Sequence, residues 1–182
     1  MAHETAPRPT GSSSPSDGDV TLVGIDGQAQ SLSALLGKRG TVIVFVANGC
    51  PTARAYEDRL MALHESYRKR EVNLVVVNAN NAALSPPDSL AEMSKRARER
   101  KFSYPYMKDV DGSLARQFGA VCTPHAFVFD QDMKLVYSGR IDDSRLGDRI
   151  TERDLENAVS DVLAGQPVRV AQTEPFGCSI VW

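Results

Sequence analysis

The chain has 182 residues, of which 42% are hydrophobic and 24% are charged, the balance of an ordinary globular protein with one full core. A net charge of −2 and a pI near 5.9 provide no electrostatic attraction for nucleic acid or for an anionic membrane. The apolar runs are too short to cross a bilayer and the N-terminus lacks a secretory signal pattern, so we expect a cytoplasmic protein without a membrane span.

Residues 1–18 are rich in Pro, Ser, Gly and Thr, which predicts a disordered N-terminal tail. Beyond them, continuous β-branched runs predict strands, and apolar residues spaced by three and four predict helices. In chain order, the predicted elements are a strand at 20–25, a short helix at 31–36, a strand at 41–47, a helix at 51–69, a strand at 74–77, a helix capped by Ser85, a short helix at 113–118, strands at 126–129 and 134–137, and a last helix capped by Thr151.

This order predicts one α/β domain over residues 19–170, followed by a C-terminal tail at 171–182 that is docked on the domain. Strands that alternate with helices indicate a parallel pair covered on both faces. The hairpin at 126–137 then adds antiparallel strands on one side.

Three cysteines are too few for a disulfide scaffold, so each needs its own explanation. Cys50 follows the strand at 41–47 and precedes Pro51, which suits the first position of the next helix. A sulfur at this junction faces the positive helix end and its unpaired N–H groups, and both favour the thiolate. The pattern predicts a reactive thiol with a lowered pKa. The alternative is a buried core cysteine at the end of a strand.

Several segments accompany this junction. They are Asn48-Gly49-Cys50-Pro51, the segment from Gly119 to Pro124, Phe127-Val128-Phe129-Asp130, the segment from Tyr137 to Asp143, and Gly177-Cys178-Ser179-Ile180. Together they resemble the thioredoxin-fold redoxins of the AhpC/TSA type, and most of all the peroxiredoxin-like proteins with an N-x-C-P motif. The resemblance spans about residues 20–182. It implies a thioredoxin-like fold, in which helices flank a central mixed β-sheet, and thiol redox chemistry without a cofactor.

The resemblance also implies roles for single residues. Cys50 becomes the redox-active nucleophile. Thr123 and Pro124 are expected to face the cysteine loop through a cis peptide bond and to pair with the extended backbone of a thiol partner; an ordinary turn proline is the alternative. The remaining predicted partner-binding residues are Asn48, Gly49, Pro51 and Arg54.

Two departures from the family patterns bear on mechanism. Thioredoxins carry C-x-x-C, whereas here Ala53 stands at the second cysteine's position, so the nucleophile lacks a local resolving thiol. Peroxiredoxins carry a threonine three residues before the cysteine and an arginine where thioredoxins have the cis-proline. Those positions hold Ala47 and Pro124, which leaves Arg54 or Arg140 as electrostatic substitutes.

The resolving thiol is left open between two cysteines. Cys122 lies just before the predicted cis-proline, where it would either resolve Cys50 or be a bystander or packed thiol. Cys178 lies on the tail, where many peroxiredoxins keep a resolving cysteine. In the alternative, Cys178 is simply buried because the tail docks through Phe176, Ile180 and Trp182.

Three functions fit these residues: a thiol-disulfide oxidoreductase, a thiol peroxidase with Cys122 or Cys178 as resolving residue, and a redox-inactive binding or sensor module. The expected partners are thiol or disulfide proteins or peroxide, with a thioredoxin-type reductant and a homodimer both open. His125 is a candidate to favour the thiolate. No metal site is predicted, because Arg54 stands where copper-binding redoxins have a second cysteine.

Overall fold

The computed structural model describes residues 19–182, so the predicted disordered tail at 1–18 lies outside the described residues. The described strands are β1 (Thr21–Gly24), β2 (Ala29–Ser31), β3 (Gly40–Val46), β4 (Val72–Asn78), β5 (Tyr106–Lys108), β6 (Cys122–Thr123), β7 (His125–Asp130), β8 (Leu135–Gly139) and β9 (Cys178–Ser179). Seven of them form a central sheet in the order β2-β1-β5-β4-β3-β7-β8, while β6 and β9 pair separately.

The central sheet is mixed, as the sequence predicted. Strand β3 pairs in parallel with β4, and β4 pairs in parallel with β5. On its other side β3 pairs antiparallel with β7, which continues into the predicted hairpin with β8. The segment that contains Cys50 therefore follows directly on a central strand of the sheet.

Helices and short 3-10 turns cover both faces of the sheet. The helices are α1 (Pro51–Ala55), α2 (Glu57–Arg68), α3 (Leu90–Arg100), α4 (Ser113–Phe118) and α5 (Asp154–Leu163), with 3-10 turns at Leu32–Leu35 and Pro86–Asp88. Alternate β3 residues enter two core clusters, one containing Val42 and Val44 with the α2, α3 and α5 side chains, the other containing Ile43 and Phe45 with α4. Because both faces are buried, β3 has no polar side chain except Thr41.

The predicted helix at 51–69 is divided in two at Tyr56, between α1 and α2. The Tyr56 amide bonds to the Ala53 carbonyl at 3.0 Å, which closes α1. Its fully buried side chain donates to Asp142 Oδ1 at 2.9 Å, and the Arg59 guanidinium lies 3.7 Å from its ring centroid. The contact with Asp142 spans 86 residues, so helical periodicity could not reveal it.

Two predicted helix starts are wrong. Helix α3 is capped by Ser89, whereas Ser85 donates its hydroxyl to Asp88 within a 3-10 turn. Helix α5 begins at Asp154 without a side-chain cap, and Thr151 instead hydrogen bonds to Asp143. Short polar side chains satisfy turns as readily as helix ends, so the sequence alone does not choose between them.

Strands of two or three residues, such as β5, β6 and β9, were not predicted because they are too short to show periodicity. Within the described residues, no helix is long and apolar enough to cross a membrane.

Candidate active site

The Cys50 sulfur lies at the start of α1, directly after the central strand. The backbone leaves β3 through a turn closed by the Cys50 amide on the Ala47 carbonyl at 3.2 Å. Cys50 is the N-cap of α1, with Pro51 as first helical residue, and its sulfur accepts a hydrogen bond from the Ala53 amide at 3.3 Å. The side chain is only 2% exposed. The strand, cysteine, proline and helix of the sequence therefore produce a buried sulfur held by a helix N-terminus.

A second sulfur contacts Cys50. Its Sγ atom lies 2.6 Å from the Sγ atom of Cys178, a residue 128 positions further along the chain. Both thiols are free, and Cys178 is half-buried rather than buried as one sequence interpretation held. The site is therefore a dithiol whose members come from opposite ends of the described chain.

The two sulfurs differ in acidity. Burial alone would raise the pKa of Cys50, but hydrogen bonds from the Cys178 thiol, the Thr123 hydroxyl and the amides of Ala53 and Cys178 outweigh burial and lower it. Burial, the hydrogen bond with Cys50 and the charge of Cys50 raise the pKa of Cys178 to about 11. The geometry therefore favours a thiolate at Cys50 and a protonated thiol at Cys178.

The Thr123–Pro124 peptide bond is cis, as the sequence predicted. The Thr123 carbonyl oxygen lies 3.2 Å from the Cys50 sulfur. In the antiparallel pair formed by β6 and β9, Thr123 lies opposite Cys178, and Cys122 lies opposite Ser179. The backbone edge that was predicted to pair with a partner is thus paired with the chain's own C-terminal segment, residues 171–182.

The C-terminal segment approaches Thr123 so closely that only glycine fits at position 177. A Cβ atom there would come within 1.8 Å of the Thr123 carbonyl oxygen, and the φ angle of 152° favours glycine. Upstream, the Thr173 amide donates to the Ser138 carbonyl at 3.1 Å, beside strand β8. Close backbone contacts therefore hold the segment on both sides of Phe176.

Beyond the cysteine the segment is anchored by three further residues. Ile180 is buried in the core cluster that contains Ile43 and Phe45. The Val181 amide donates to Asn80 Oδ1 at 2.9 Å, and the Val181 carbonyl accepts from the Asn81 amide at 2.7 Å. Trp182 remains 44% exposed and stacks on the Arg116 guanidinium, 4.4 Å from the ring.

A buried carboxylate links the cysteine loop to this anchor. Asp88 is fully buried and accepts hydrogen bonds from the Asn48 amide at 2.6 Å, from the side chains of Asn78 and Asn80 at 2.8 and 2.9 Å, and from the Ser85 hydroxyl. Burial acts to raise the pKa of Asp88, but these hydrogen bonds outweigh it and lower the pKa. Asp88 is therefore an ionised structural carboxylate rather than a proton acceptor for the thiol.

The third cysteine takes no part in the sulfur contact. Cys122 Sγ lies 3.9 Å from the Pro124 carbonyl, and burial, followed by the charges of Cys50, Glu174 and Cys178, raises its pKa to about 11. In the sequence, Cys122 and Cys178 were both candidates to resolve Cys50. The structure brings Cys178, not Cys122, into contact with the Cys50 sulfur.

His125 does not favour the thiolate. Its Nδ1 atom accepts from the Val121 amide at 3.4 Å, and its Nε2 atom lies 3.1 Å from the Ser138 hydroxyl. Burial lowers its pKa to about 4, so the ring is neutral at physiological pH.

The other predicted partner-binding residues are divided between the loop and the surface. Asn48 uses its amide, side-chain NH₂ and side-chain oxygen within the protein, on Asp88, Pro87 and Tyr106. It shapes the loop and has no free backbone N–H to offer a partner. Gly49, Pro51 and Arg54 are exposed beside the sulfur pair. Within residues 19–182, no arginine donates a hydrogen bond to the Cys50 sulfur.

The sequence did not indicate the structural roles of Asp88 and Gly177. The only available signal was the Gly-Cys dipeptide at 177–178, which repeats the Gly-Cys dipeptide at 49–50. The described residues contain no group of three or more potential metal ligands.

Comparison with known proteins adds the family. Residues 16–138 match the model of the AhpC/TSA family, which is more than half of the chain. The chain belongs to the AhpC/TSA family. Cys50 and Cys122 lie within the matched residues, whereas Cys178 lies beyond them. Family membership and fold together assign thiol-based redox function in general to this chain.

Two solved structures resemble nearly the whole chain. An uncharacterized conserved protein from Geobacillus kaustophilus is 34% identical, with a TM-score of 0.87, over 96% of this chain and 92% of that one. A hypothetical protein from Sinorhizobium meliloti 1021 is 30% identical, with a TM-score of 0.83, over 91% of each chain. A secreted disulfide oxidoreductase from Mycobacterium tuberculosis shares the fold at 14% identity and a TM-score of 0.57, over 81% of this chain and 96% of that one. No curated protein sequence matches the chain significantly.

Proposed function

We propose that this protein is a thiol-disulfide oxidoreductase in which Cys50 is the nucleophile and Cys178 the resolving thiol. The observation that supports this is the 2.6 Å contact between their sulfur atoms. Thiol-disulfide exchange needs a thiolate to attack and a second thiol to resolve the mixed disulfide. The lowered pKa of Cys50 and the raised pKa of Cys178 match these two roles.

The oxidation of the protein proceeds in two exchanges. The Cys50 thiolate attacks one sulfur of a substrate disulfide, whose S–S bond breaks, and the other substrate sulfur leaves with the electron pair and takes a proton from solvent. Cys178 then attacks the Cys50 sulfur, its proton passing to the departing second substrate thiolate. The substrate disulfide gains two electrons and two protons, and the protein becomes the Cys50–Cys178 disulfide.

Reduction of that disulfide returns the protein to its starting state. Cys178 is the accessible sulfur, because Cys50 is 2% exposed and Cys178 is half-buried. Cys50 is also the better leaving group, since a thiol of lower pKa leaves faster. We therefore propose that a thioredoxin-type dithiol attacks the Cys178 sulfur and displaces Cys50 as thiolate.

The local chemistry favours a disulfide over a peroxide as oxidant. Ala47 and Pro124 occupy the positions of the peroxiredoxin threonine and arginine. Arg140 is engaged by Asp154 at 2.7 Å, and Arg54 is exposed to solvent. A peroxidase would share the same sulfur pair but lack its usual groups for holding the peroxide.

Both sulfurs of the pair belong to one chain, so the cycle requires no second copy. A homodimer remains a separate prediction, which sedimentation at micromolar concentration would test. We also propose a cytoplasmic location, where the redox-active dithiol would be kept reduced between turnovers.

Peptide mass mapping after brief exposure to glutathione disulfide or hydrogen peroxide tests the proposal. We expect the wild-type chain to form the Cys50–Cys178 disulfide faster with glutathione disulfide. We expect Cys178→Ser to accumulate glutathione on Cys50, whereas Cys122→Ser, the matched control, behaves as wild type. If Cys50 reacts no faster than in the urea-unfolded chain, the binding-module function is the correct one. If peroxide reacts faster than the disulfide, the protein is a peroxidase.

A further inference from the structure

The C-terminal segment occupies the place that a substrate strand would need. Its strand β9 pairs antiparallel with Thr123, next to Pro124, and its cysteine contacts the nucleophilic sulfur. A partner whose cysteine is to exchange with Cys50 must put a sulfur at the same point. The segment therefore shows which extended sequence this groove accepts.

We propose that the groove holding Gly177–Val181 is the docking site for an extended strand of a partner protein, whose disulfide-bonded cysteine follows a glycine and precedes an aliphatic residue by two positions. The proposal rests on the proposed oxidoreductase function and specifies its substrate. The C-terminal segment is then a tethered competitor: it leaves the groove when the partner strand enters, and its return brings Cys178 back to the Cys50 sulfur for the resolving step.

The glycine requirement follows from the backbone of Thr123. A Cβ atom at position 177 would come 1.8 Å from its carbonyl oxygen, a backbone atom that cannot turn aside as a flexible side chain would. The same clash would meet any side chain placed immediately before a partner's cysteine in this register. The residue after the cysteine is unconstrained, because Ser179 is exposed.

The aliphatic requirement follows from the Ile180 site. Ile180 is 6% exposed and belongs to the core cluster with Phe45, so a partner strand that displaces the segment must fill this position. The backbone of Val181 forms two hydrogen bonds: its amide donates to the Asn80 side chain, and its carbonyl accepts from the Asn81 amide. These two contacts use only backbone atoms of Val181, so they accept any residue type except proline.

A partner protein fits this site better than a second copy of the chain. A second copy would exchange one C-terminal segment for an identical one and would lose the tether that Thr173 provides beside Ser138. Tethering raises the local concentration of the segment to about the millimolar range. A substrate disulfide instead gains a covalent bond to Cys50 when it displaces the segment.

The test uses three synthetic decapeptides whose cysteine is capped as a mixed disulfide with thionitrobenzoate. One has the sequence of residues 173–182, Thr-Glu-Pro-Phe-Gly-Cys-Ser-Ile-Val-Trp; the second replaces its Gly by Ala, and the third, a matched control, replaces its Ser by Ala. Cys50 attacks the peptide sulfur, the S–S bond breaks, and coloured thionitrobenzoate leaves with the electron pair. Each rate is divided by the rate of glutathione that is capped in the same way. Differences in the Cys50 thiolate fraction between protein variants then cancel.

We expect the Gly-Cys peptide to react about tenfold faster than the Ala-Cys peptide, since misplacement of a reacting atom by ~1 Å costs up to about 10²-fold in rate. The Ser-to-Ala peptide should match the first peptide. Full-length Gly177→Ala, whose new methyl group dislodges the segment, should react faster with the Gly-Cys peptide than wild type does. The peptide ratio is also measured on the wild-type chain, so it does not depend on the folding of the variant.

Equal rates for the Gly-Cys and Ala-Cys peptides would overturn the proposal, and so would equal normalised rates for wild type and a folded Gly177→Ala. A product that joins Cys50 of one copy to Cys178 of another as the main species would overturn it too, because the occupant would then be a second copy. If capped glutathione reacts no faster with the folded protein than with the unfolded chain, the proposed function itself is overturned instead.

Discussion

At the scale of single residues, hydrogen bonds rather than burial separate the roles of the three cysteines. Cys50 and Cys122 are buried and Cys178 is half-buried, and burial by itself raises a thiol pKa. Only Cys50 receives donors from Ala53, Thr123 and Cys178, and only its pKa is lowered. Cys122 lacks such donors, and its pKa is raised to about 11.

Replacing Cys178 by Ala should raise the pKa of Cys50, because the thiol that supplies its strongest hydrogen bond is lost. The pH midpoint of Cys50 alkylation by iodoacetamide would move upward, since less thiolate is present at each pH below the new pKa. Mass mapping of the alkylated peptide measures this midpoint. Cys122→Ala is the control and should leave the midpoint in place; an equal upward shift in both variants would contradict this account.

His125 should make the folding stability fall on acidification. Its pKa is lowered to about 4 by burial, below the ordinary value of 6.5, so between these values the unfolded state binds the proton and the folded state does not. The stability is complete above pH 6.5 and declines as the pH falls toward 4, by at most about 3 kcal/mol.

Urea unfolding of wild type and His125→Asn between pH 7 and pH 4 measures this contribution. The variant should be less stable at pH 7 and should lose less stability on acidification. His64→Asn is the comparison, because His64 is only half-buried and should change the slope less. Parallel profiles for wild type and His125→Asn would show that His125 does not titrate in this range.

At the scale of elements, the candidate active site is formed by three chain segments that are linked by hydrogen bonds around one buried carboxylate. Asp88 accepts hydrogen bonds from the Asn48 amide in the cysteine loop and from the Asn80 side chain. The Asn80 side-chain oxygen in turn accepts a hydrogen bond from the Val181 amide. The loop before α1 and the C-terminal segment are therefore positioned through the same group. Buried donors left without this acceptor each cost roughly 1–3 kcal/mol.

Asp88→Ala should lower the free energy of unfolding by about 3 kcal/mol, because several buried donors lose their acceptor at once. It should also make the Cys50–Cys178 disulfide easier to reduce, since the two sulfurs are no longer held together. Urea unfolding and redox titration against glutathione measure these effects. Asp132→Ala removes an exposed carboxylate and is the matched control. A change in stability with an unchanged disulfide potential would confine Asp88 to a structural role.

At the scale of the whole molecule, the sulfur pair connects residues 128 positions apart, so its oxidation encloses most of the fold in one loop. A cross-link of this length restricts the unfolded chain far more than the native one. The redox state of the site should therefore be coupled to global stability.

Oxidised wild type should unfold at a higher urea concentration than the reduced protein, by a free energy on the order of 4 kcal/mol. Denaturation of both forms, followed by circular dichroism, measures the difference. After the same oxidation, Cys178→Ser should show no difference in unfolding free energy between the two forms, whereas Cys122→Ser should show the same difference as wild type. An unchanged midpoint in wild type, with the disulfide verified by mass, would contradict the expected coupling.

The sequence by itself determined the central strand of the sheet and the position of Cys50 between that strand and a helix. These depend on neighbouring residues: a β-branched run, a cysteine and a proline whose order makes a strand, a cap and a helix start. It also located the cis-proline turn at Pro124, because the family motifs there are contiguous.

Only the tertiary structure decided which thiol meets Cys50, how Asp88 joins the loop to the C-terminal segment, and why position 177 must be glycine. Cys122 and Cys178 were both open in the sequence, since the distance between side chains far apart in the chain depends on backbone pairing that no local pattern encodes. The pairing of Thr123 with Cys178 is two residues long, too short to leave a periodic signal. Local sequence thus places Cys50 at the start of a helix, and long-range packing brings Cys178 into contact with it.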